Sequence, residues 1–295
     1  MNLYKTFDNK ETFVYCLNIL DDGRLAAGDS NSNLTIYNKD TFKADLIIQN
    51  DLDELWNFTQ LKNKNFACSF AKDFTLKILK LKNKNNHEDI QIIQNAHNYN
   101  ITKILELKNG NLITFSHDSS FKIWKWNKNY ENIKTIKDLN ELSDGLEIKE
   151  NELLYAVKTK PQSLVFFDLN RYEKIKTINN LKLYINGVGF RIIKLTDDEI
   201  FVTGDKKIYL IDTIYYQILH DIDCDSCCYS ILKLNYNLFL VGDESGSITQ
   251  YKINDKKIIK ESMKNEIHEK WISSIVMLDN IIITAGNNLI KFWKK

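Results

Sequence analysis

The chain has 295 residues, 43% of them apolar and 27% charged, with a formal net charge of +1. That composition is globular and long enough for a substantial core, and its near-neutral balance gives no general attraction to nucleic acid or an anionic membrane. No stretch approaches the roughly 20 apolar residues that span a bilayer, the opening MNLYKTFDNK lacks the apolar run of a secretory signal, and an odd number of cysteines, five, predicts free thiols in a reducing compartment.

In chain order, Leu3–Phe7 first reads as a strand without neighbours of its own. One pattern then recurs: an apolar strand, a turn, a second apolar strand, a small or polar turn, and a third strand that closes on a large residue. Seven copies end at Tyr37, Leu79, Trp124, Phe167, Ile211, Tyr251 and Trp293, so successive ends lie 40 to 45 residues apart. The clearest copy is Ile101–Trp124, ITKILELKNGNLITFSHDSSFKIW, whose strands alternate at period 2 and whose Asn109-Gly110 marks a tight hairpin. Segments between copies, such as Lys43–Ile48 and Lys174–Ile178, read as fourth, outer strands whose charges suit an exposed edge. The seventh copy stops two residues after Trp293 and has only three strands. Leu3–Phe7 is expected to supply its fourth.

A period near 40–45 residues with four strands per repeat matches a propeller blade and not a helical repeat. The third copy carries a His before its first strand, a Ser ending its second, an Asp in the next turn and a Trp in its third: His97, Ser116, Asp118 and Trp124. On these residues and the repeat, the whole chain resembles the WD-repeat family. Other copies keep parts of the set: His268 and Trp293 in the seventh, Thr203 and Asp205 in the fifth, Asp73 in the second. Asn31 and Ser245 stand at the Asp position in the first and sixth copies, and Pro161 in the fourth. The resemblance implies an all-β, closed seven-bladed β-propeller of four-stranded antiparallel blades, a single domain over 1–295. The blades are expected near 10–50, 51–95, 96–138, 139–180, 181–222, 223–266, and 267–295 together with 1–9.

The buried set is structural. An indole sunk in a core needs an acceptor for its N–H, a role available to Ser116, while a His–Asp pair would pin the adjoining loop. His97, Ser116 and Asp118 also have the composition of a hydrolase triad, yet partial copies elsewhere in the repeat explain them better. There is no G-x-S-x-G elbow and no phosphate-binding G-x-x-x-x-G-K-[ST] loop. Gly187-Val188-Gly189 lacks the third glycine of a dinucleotide fingerprint. The Cys224, Cys227, Cys228 cluster with His220 has metal-ligand residue types but no second C-x-x-C. Loop acids beside a core cysteine describe it better.

The reading is therefore a non-enzymatic protein–protein interaction scaffold or adaptor without cofactor. It is cytoplasmic, with the nucleus as a second compartment, and a monomeric subunit of a larger complex. A small molecule or metal in the channel is the alternative. The resemblance places partner contacts on the loop face around the channel, where the candidates are Phe13, Glu54, Lys72, Asn100, His117, Glu244 and Trp271. Acids in the same loops (Asp51, Asp53, Glu54, Glu141, Asp144, Asp221, Asp223, Asp225 and Glu269) point to a partner with a basic segment.

Overall fold

The computed structural model describes residues 2–8, 12–83, 86–138, 140–157, 162–183 and 191–294. Pro161 and Gly187-Val188-Gly189, singled out above, lie outside the described residues. After β1 (Asn2–Asp8), blade 1 comprises β2 (Val14–Ile19), β3 (Leu25–Asp29), β4 (Leu34–Tyr37) and β5 (Ala44–Ile48). Blade 2 comprises β6 (Leu55–Gln60), β7 (Phe66–Phe70), β8 (Leu76–Asn83) and β9 (Asn86–Ile93). Blade 3 has β10 (Ile101–Glu106), β11 (Leu112–Ser116), β12 (Ser120–Asn127) and β13 (Asn129–Lys137). Blade 4 has β14 (Leu142–Lys149), β15 (Glu152–Val157), β16 (Ser163–Asp168) and β17 (Glu173–Asn179). Blade 5 has β18 (Ile192–Lys194), β19 (Glu199–Thr203), β20 (Lys207–Asp212) and β21 (Gln217–Asp223). Blade 6 has β22 (Cys228–Lys233), β23 (Leu238–Asp243), β24 (Ile248–Asn254) and β25 (Lys257–Lys264). Blade 7 has β26 (Ser274–Leu278), β27 (Ile281–Gly286) and β28 (Leu289–Lys294), and β1 joins it as the fourth strand, antiparallel to β28. One 3-10 turn, Lys72–Phe74, is the sole helical element among the described residues.

The chain divides into two compact units, Met1–Leu139 with Val276–Lys295 and Asn140–Ile275. In the first unit the second strands have both faces covered: β3, β7 and β11 are buried at every position, and in the second unit β15, β19 and β23 are buried at all but their first residue. Each core cluster joins adjacent blades. Val14, Leu25 and Phe42 pack with Ile283, Ile290 and Phe292. Ile36 and Ile48 pack with Leu55, Phe66 and Phe70, and Leu76 and Ile78 with Ile101, Leu112 and Trp124. In the second unit Leu154 and Phe166 meet Ile200 and Ile211, and Phe201 meets Phe239.

A chain of hydrogen bonds organises blade 3. Trp124 Nε1 donates to Thr114 Oγ1 at 2.8 Å, and His97 Nε2 lies 2.7 Å from the same oxygen. His97 Nδ1 lies 3.0 Å from Asp118 Oδ2. Burial favours the neutral imidazole, and for that form the directions close one way: the indole donates to Thr114, the Thr114 hydroxyl donates to Nε2, and Nδ1–H donates to Asp118. His97 is thus neutral, with its proton on Nδ1. Burial pushes its pKa below the usual 6.5, against the pull of Asp118. Burial acts to raise Asp118, but bonds from His97, Ser120 and the Asn98 N–H outweigh it and hold the carboxyl well below its ordinary 3.8.

The hydroxyl that receives the indole is Thr114 and not Ser116. Ser116 Oγ instead donates to the Tyr99 carbonyl and accepts the Asp118 N–H, both at 3.0 Å. The reason is strand register. Thr114 lies two residues beyond Leu112, which pairs with Trp124, and is the indole's diagonal neighbour on that face, whereas Ser116 lies two residues further along the strand. Blade 7 repeats the arrangement, with Trp293 Nε1 donating to Thr284 Oγ1 at 3.0 Å and Ile282 paired with Trp293. The five blades that close on Tyr37, Leu79, Phe167, Ile211 and Tyr251 hold Ala27, Cys68, Tyr155, Val202 and Val241 at that register. Threonine occurs there only where an indole must be satisfied.

The turn acid also moves between blades. In blades 1 and 6 it sits at the Ser116 register. Asp29 Oδ1 accepts the N–H groups of Asn31 and Asn33, and Asp243 Oδ1 those of Ser245 and Ser247. Asn31 and Ser245 are therefore donors in the turn and not substitutes for its acid. Asp205 accepts the Cys227 thiol at 3.0 Å in place of a histidine, and Thr203 Oγ1 accepts the Arg191 N–H. Asp73 is exposed, has φ +52°, and its carboxylate has no hydrogen bond among the described residues. His268 is buried, and its N–H donates to the Gly246 carbonyl. Gly246 has φ +79°, and a Cβ there would lie 1.9 Å from the His268 carbonyl oxygen.

Two outcomes follow. Thr114→Val leaves the indole N–H and the imidazole nitrogen buried without partners, and is expected to lower unfolding free energy by about 1–3 kcal/mol in urea titrations. Thr114→Ser keeps the hydroxyl and loses clearly less; equal losses would remove the assignment. His97 and Asp118 have depressed pKa values in the fold, so the stability they confer is present above the unfolded values and lost on acidification. Below about pH 6.5 the unfolded chain takes up a proton that buried His97 refuses. His97→Gln should therefore flatten the decline in unfolding free energy between about pH 7.5 and 5, and an unchanged slope would show His97 to be charged in the fold.

Candidate functional site

The inner strands place the candidate site. β2, β6 and β10 share one burial pattern, in which the first and fourth residues are buried and the others half-buried. Each also slips register near its start, between Val14 and Cys16, Leu55 and Asn57, and Ile101 and Lys103. The skipped residues are Tyr15, Trp56 and Thr102. A bulge re-aims the side chain of the extra residue, so blades 1 and 2 each turn an aromatic ring out of the strand at the same level. The same slip in β22 falls on Tyr229.

The loops before these strands are tied to the ends of the second strands by one repeated backbone bond. Ser30 N–H donates to the Phe13 carbonyl, Ala71 to Glu54, His117 to Asn100, and in the second unit Glu244 to Cys227, at 2.9–3.1 Å. These bonds include the rim candidates Phe13 in blade 1, Asn100 and His117 in blade 3, and Glu244 in blade 6. In blade 2 the residue that bonds Glu54 is Ala71 and not the neighbouring candidate Lys72. Lys72 instead opens the 3-10 turn and its ammonium donates to the Asp51 carbonyl at 3.1 Å.

Side chains of the first unit converge at Glu54. Tyr15 Oη donates to Glu54 Oε1 at 2.8 Å, and Trp56 Nε1 donates to Glu54 Oε2 at 2.7 Å. Burial, reinforced by the Glu54 hydrogen bond, pushes the Tyr15 phenol well above its ordinary 10, so it stays a donor. The rings of Tyr15 and Trp56 lie 6.2 Å apart at 36°. Trp56 meets His117 edge-on at 6.4 Å, His117 lies 6.1 Å from Tyr99, and Tyr99 lies 5.6 Å from Phe74. The result is a continuous band of rings across blades 1, 2 and 3, with Tyr99 52% and nearby Phe13 40% exposed. Among the described residues no lysine or arginine pairs with Glu54.

The sequence named Phe13, Glu54, Lys72, Asn100 and His117 on this unit, and missed Tyr15, Trp56, Tyr99 and Phe74. Asn100 is half-buried and contributes through its backbone. Trp271 and Glu244 belong to the second unit, half-buried and exposed respectively. The acidic loop set is narrower than the sequence implies. Asp144 is buried and accepts the N–H groups of Gly145 and Ile192. Asp221 and Asp223 share Lys207, and Asp225 pairs with Lys260. The cysteines are free thiols; Cys227 and Cys228 are buried and Cys224 half-buried. Among the described residues no three His, Cys, Asp or Glu side chains approach closely enough to hold a metal ion. No helix among them is long and apolar enough to cross a membrane.

No family model matches the chain, and no curated protein matches its sequence. Its structure is similar to solved WD40 propellers over essentially its whole length. The crystal structure of the WD40 β-propeller domain of Doa1 matches with a TM-score of 0.80 at 16% identity, covering 100% of this chain and 97% of that one. A chain in the crystal structure of the mitotic checkpoint complex matches with a TM-score of 0.83 at 10% identity, over 100% and 92%. The structure of U3-55K matches at 0.80 and 10%, over 98% of each chain. The fold is thus a seven-bladed, four-stranded β-propeller like those WD40 structures, and its N-terminal strand completes the last blade.

Proposed function

We propose that this chain is a non-enzymatic protein-interaction scaffold or adaptor subunit that takes a protein partner on the loop face of its first unit. The observation that carries the reading is the band of rings from Tyr15 to Phe74, set on three rigid blades beside exposed Phe13. Aromatic side chains in a prearranged patch are the usual anchors of an interface, because each buries a large area for little lost rotamer freedom. Glu54 at the centre, with Asp51 and Asp53 in the same loop, favours a basic segment in the partner. His117 and Lys72 border the patch. Glu244 and Trp271 are the corresponding candidates on the second unit. A propeller of like fold stands within the mitotic checkpoint complex, which fits a role as one subunit among several. The compartment we infer is the cytoplasm.

The test is affinity capture from the native cell with Trp56→Ala/Tyr99→Ala, against an outer-strand control, Ile92→Ala/Ile133→Ala. Ile92 and Ile133 are 50% and 47% exposed. Loss of hot-spot anchors is expected to weaken a stoichiometric partner at least about thirtyfold while the control retains it. A rim variant that melts normally and keeps every partner would move the binding surface elsewhere.

A further inference from the structure

We propose that Glu54, Tyr15 and Trp56 form a receptor for one arginine side chain of the partner; the proposal rests on the reading of this rim as the partner surface. Each Glu54 oxygen receives one neutral donor, the Tyr15 hydroxyl at 2.8 Å and the Trp56 indole at 2.7 Å. An ionised carboxylate has about two acceptor sites per oxygen, so each oxygen keeps one. The two donors come from adjacent blades and fix the plane of the carboxylate. What remains is a pair of acceptor positions at a set spacing on a group whose charge no described lysine or arginine neutralises.

The choice of ligand follows from that geometry. A half-buried carboxylate beside two rings favours a cation, because the donors already present carry no charge to balance it. A guanidinium presents two parallel N–H groups that match a carboxylate, and its plane stacks on an indole face. An ammonium is a point charge that gains less from a fixed pair of acceptors and holds its water more strongly. Tyr15 and Trp56 supply π faces beside the carboxylate, with centroids 6.2 Å apart and planes 36° from parallel. His117, edge-on at 6.4 Å, backs Trp56 from blade 3.

The test uses the full chain and three blocked pentapeptides, Gly-Gly-X-Gly-Gly, in which X is arginine, lysine or citrulline. Citrulline keeps the shape and removes the charge. The readout is the indole N–H resonance of Trp56, assigned by its disappearance in Trp56→Phe. The arginine peptide should move that resonance with a Kd on the order of 1 mM, and citrulline should bind at least about tenfold more weakly. Lysine should fall between them, and Glu54→Gln should weaken the arginine peptide about tenfold or more. Equal shifts with citrulline, binding of lysine as tight as that of arginine, or no shift up to about 10 mM arginine peptide would each overturn the proposal. The citrulline comparison leaves the protein untouched, so it stands even if Glu54→Gln disturbs the loop. If the peptides fail while Trp56→Ala/Tyr99→Ala still loses its captured partner, the rim remains the partner surface without an arginine receptor. If the rim variant keeps its partner, the functional reading itself fails.

Discussion

The structure depends on a constraint set by its second strands. β3, β7 and β11 are buried at every position, so each sheet must be covered on both faces and no blade of this kind is stable alone. The core clusters answer that constraint locally, each formed where one blade lies against the next. The pairing of β1 with β28 serves the same end, because blade 7 otherwise has three strands and would leave the edge of β28 open. The outer strands manage their own edges. Six blades carry a bulge in the outer strand opposite the step into the closing residue of the repeat (Tyr37, Leu79, Trp124, Phe167, Ile211 and Tyr251), which twists the edge away from stray pairing.

Against this apolar background the polar sets act as fasteners. Blade 3 uses the longest, from Trp124 through Thr114 and His97 to Asp118, and every donor in it has one acceptor available. Blade 7 keeps the indole–hydroxyl half, and blades 1 and 6 build a self-contained turn around Asp29 and Asp243. Blade 5 joins Asp205 to a cysteine thiol. These are different solutions to one requirement, that buried polar groups, main-chain or side-chain, must be hydrogen-bonded. The aliphatic ends Leu79 and Ile211 need none of the indole chemistry, which is why the repeat survives so much substitution.

That diversity decides what was legible in the residues. Strand runs and their 40–45 residue spacing are consequences of burial, and burial selects residue types directly, so the blade count and the fourth strand from the N-terminus were readable. Hydrogen-bond assignments were not, because they depend on register. Ser116 and Thr114 are both hydroxyls near the end of one strand, and only the pairing of Leu112 with Trp124 separates them. A signal was nevertheless present: threonine stands ten residues before Trp124 and nine before Trp293, at a register the other blades fill without it. The bulges were invisible for a similar reason. Alternation at period 2 assumes an unbroken ladder, so Tyr15 and Trp56 read as ordinary half-buried strand residues and not as side chains turned toward the rim.

The candidate site arises where structural duty is lightest. Phe13, Glu54, Asn100 and Cys227 occupy one position in four blades, and each accepts the same bond through its main-chain carbonyl. Since the backbone carries the repeat there, the side chain differs from blade to blade: a phenyl ring, a carboxylate, an amide, and a thiol that bonds Asp205. The bulge residue two positions on is similarly released from the ladder, and reads Tyr15, Trp56, Thr102 and Tyr229. A repeat built this way holds its rim rigidly while leaving the chemistry of each place open. In the first unit the open places coincide, since Glu54 lies within hydrogen-bonding reach of both bulge aromatics and the ring band extends from Trp56 into blade 3. Convergence of three unconstrained side chains on one carboxylate is not demanded by the packing of the blades, since blades 3 and 6 hold the same backbone with Asn100 and Cys227. That independence from the fold's own requirements is the strongest physical reason to place recognition at Glu54.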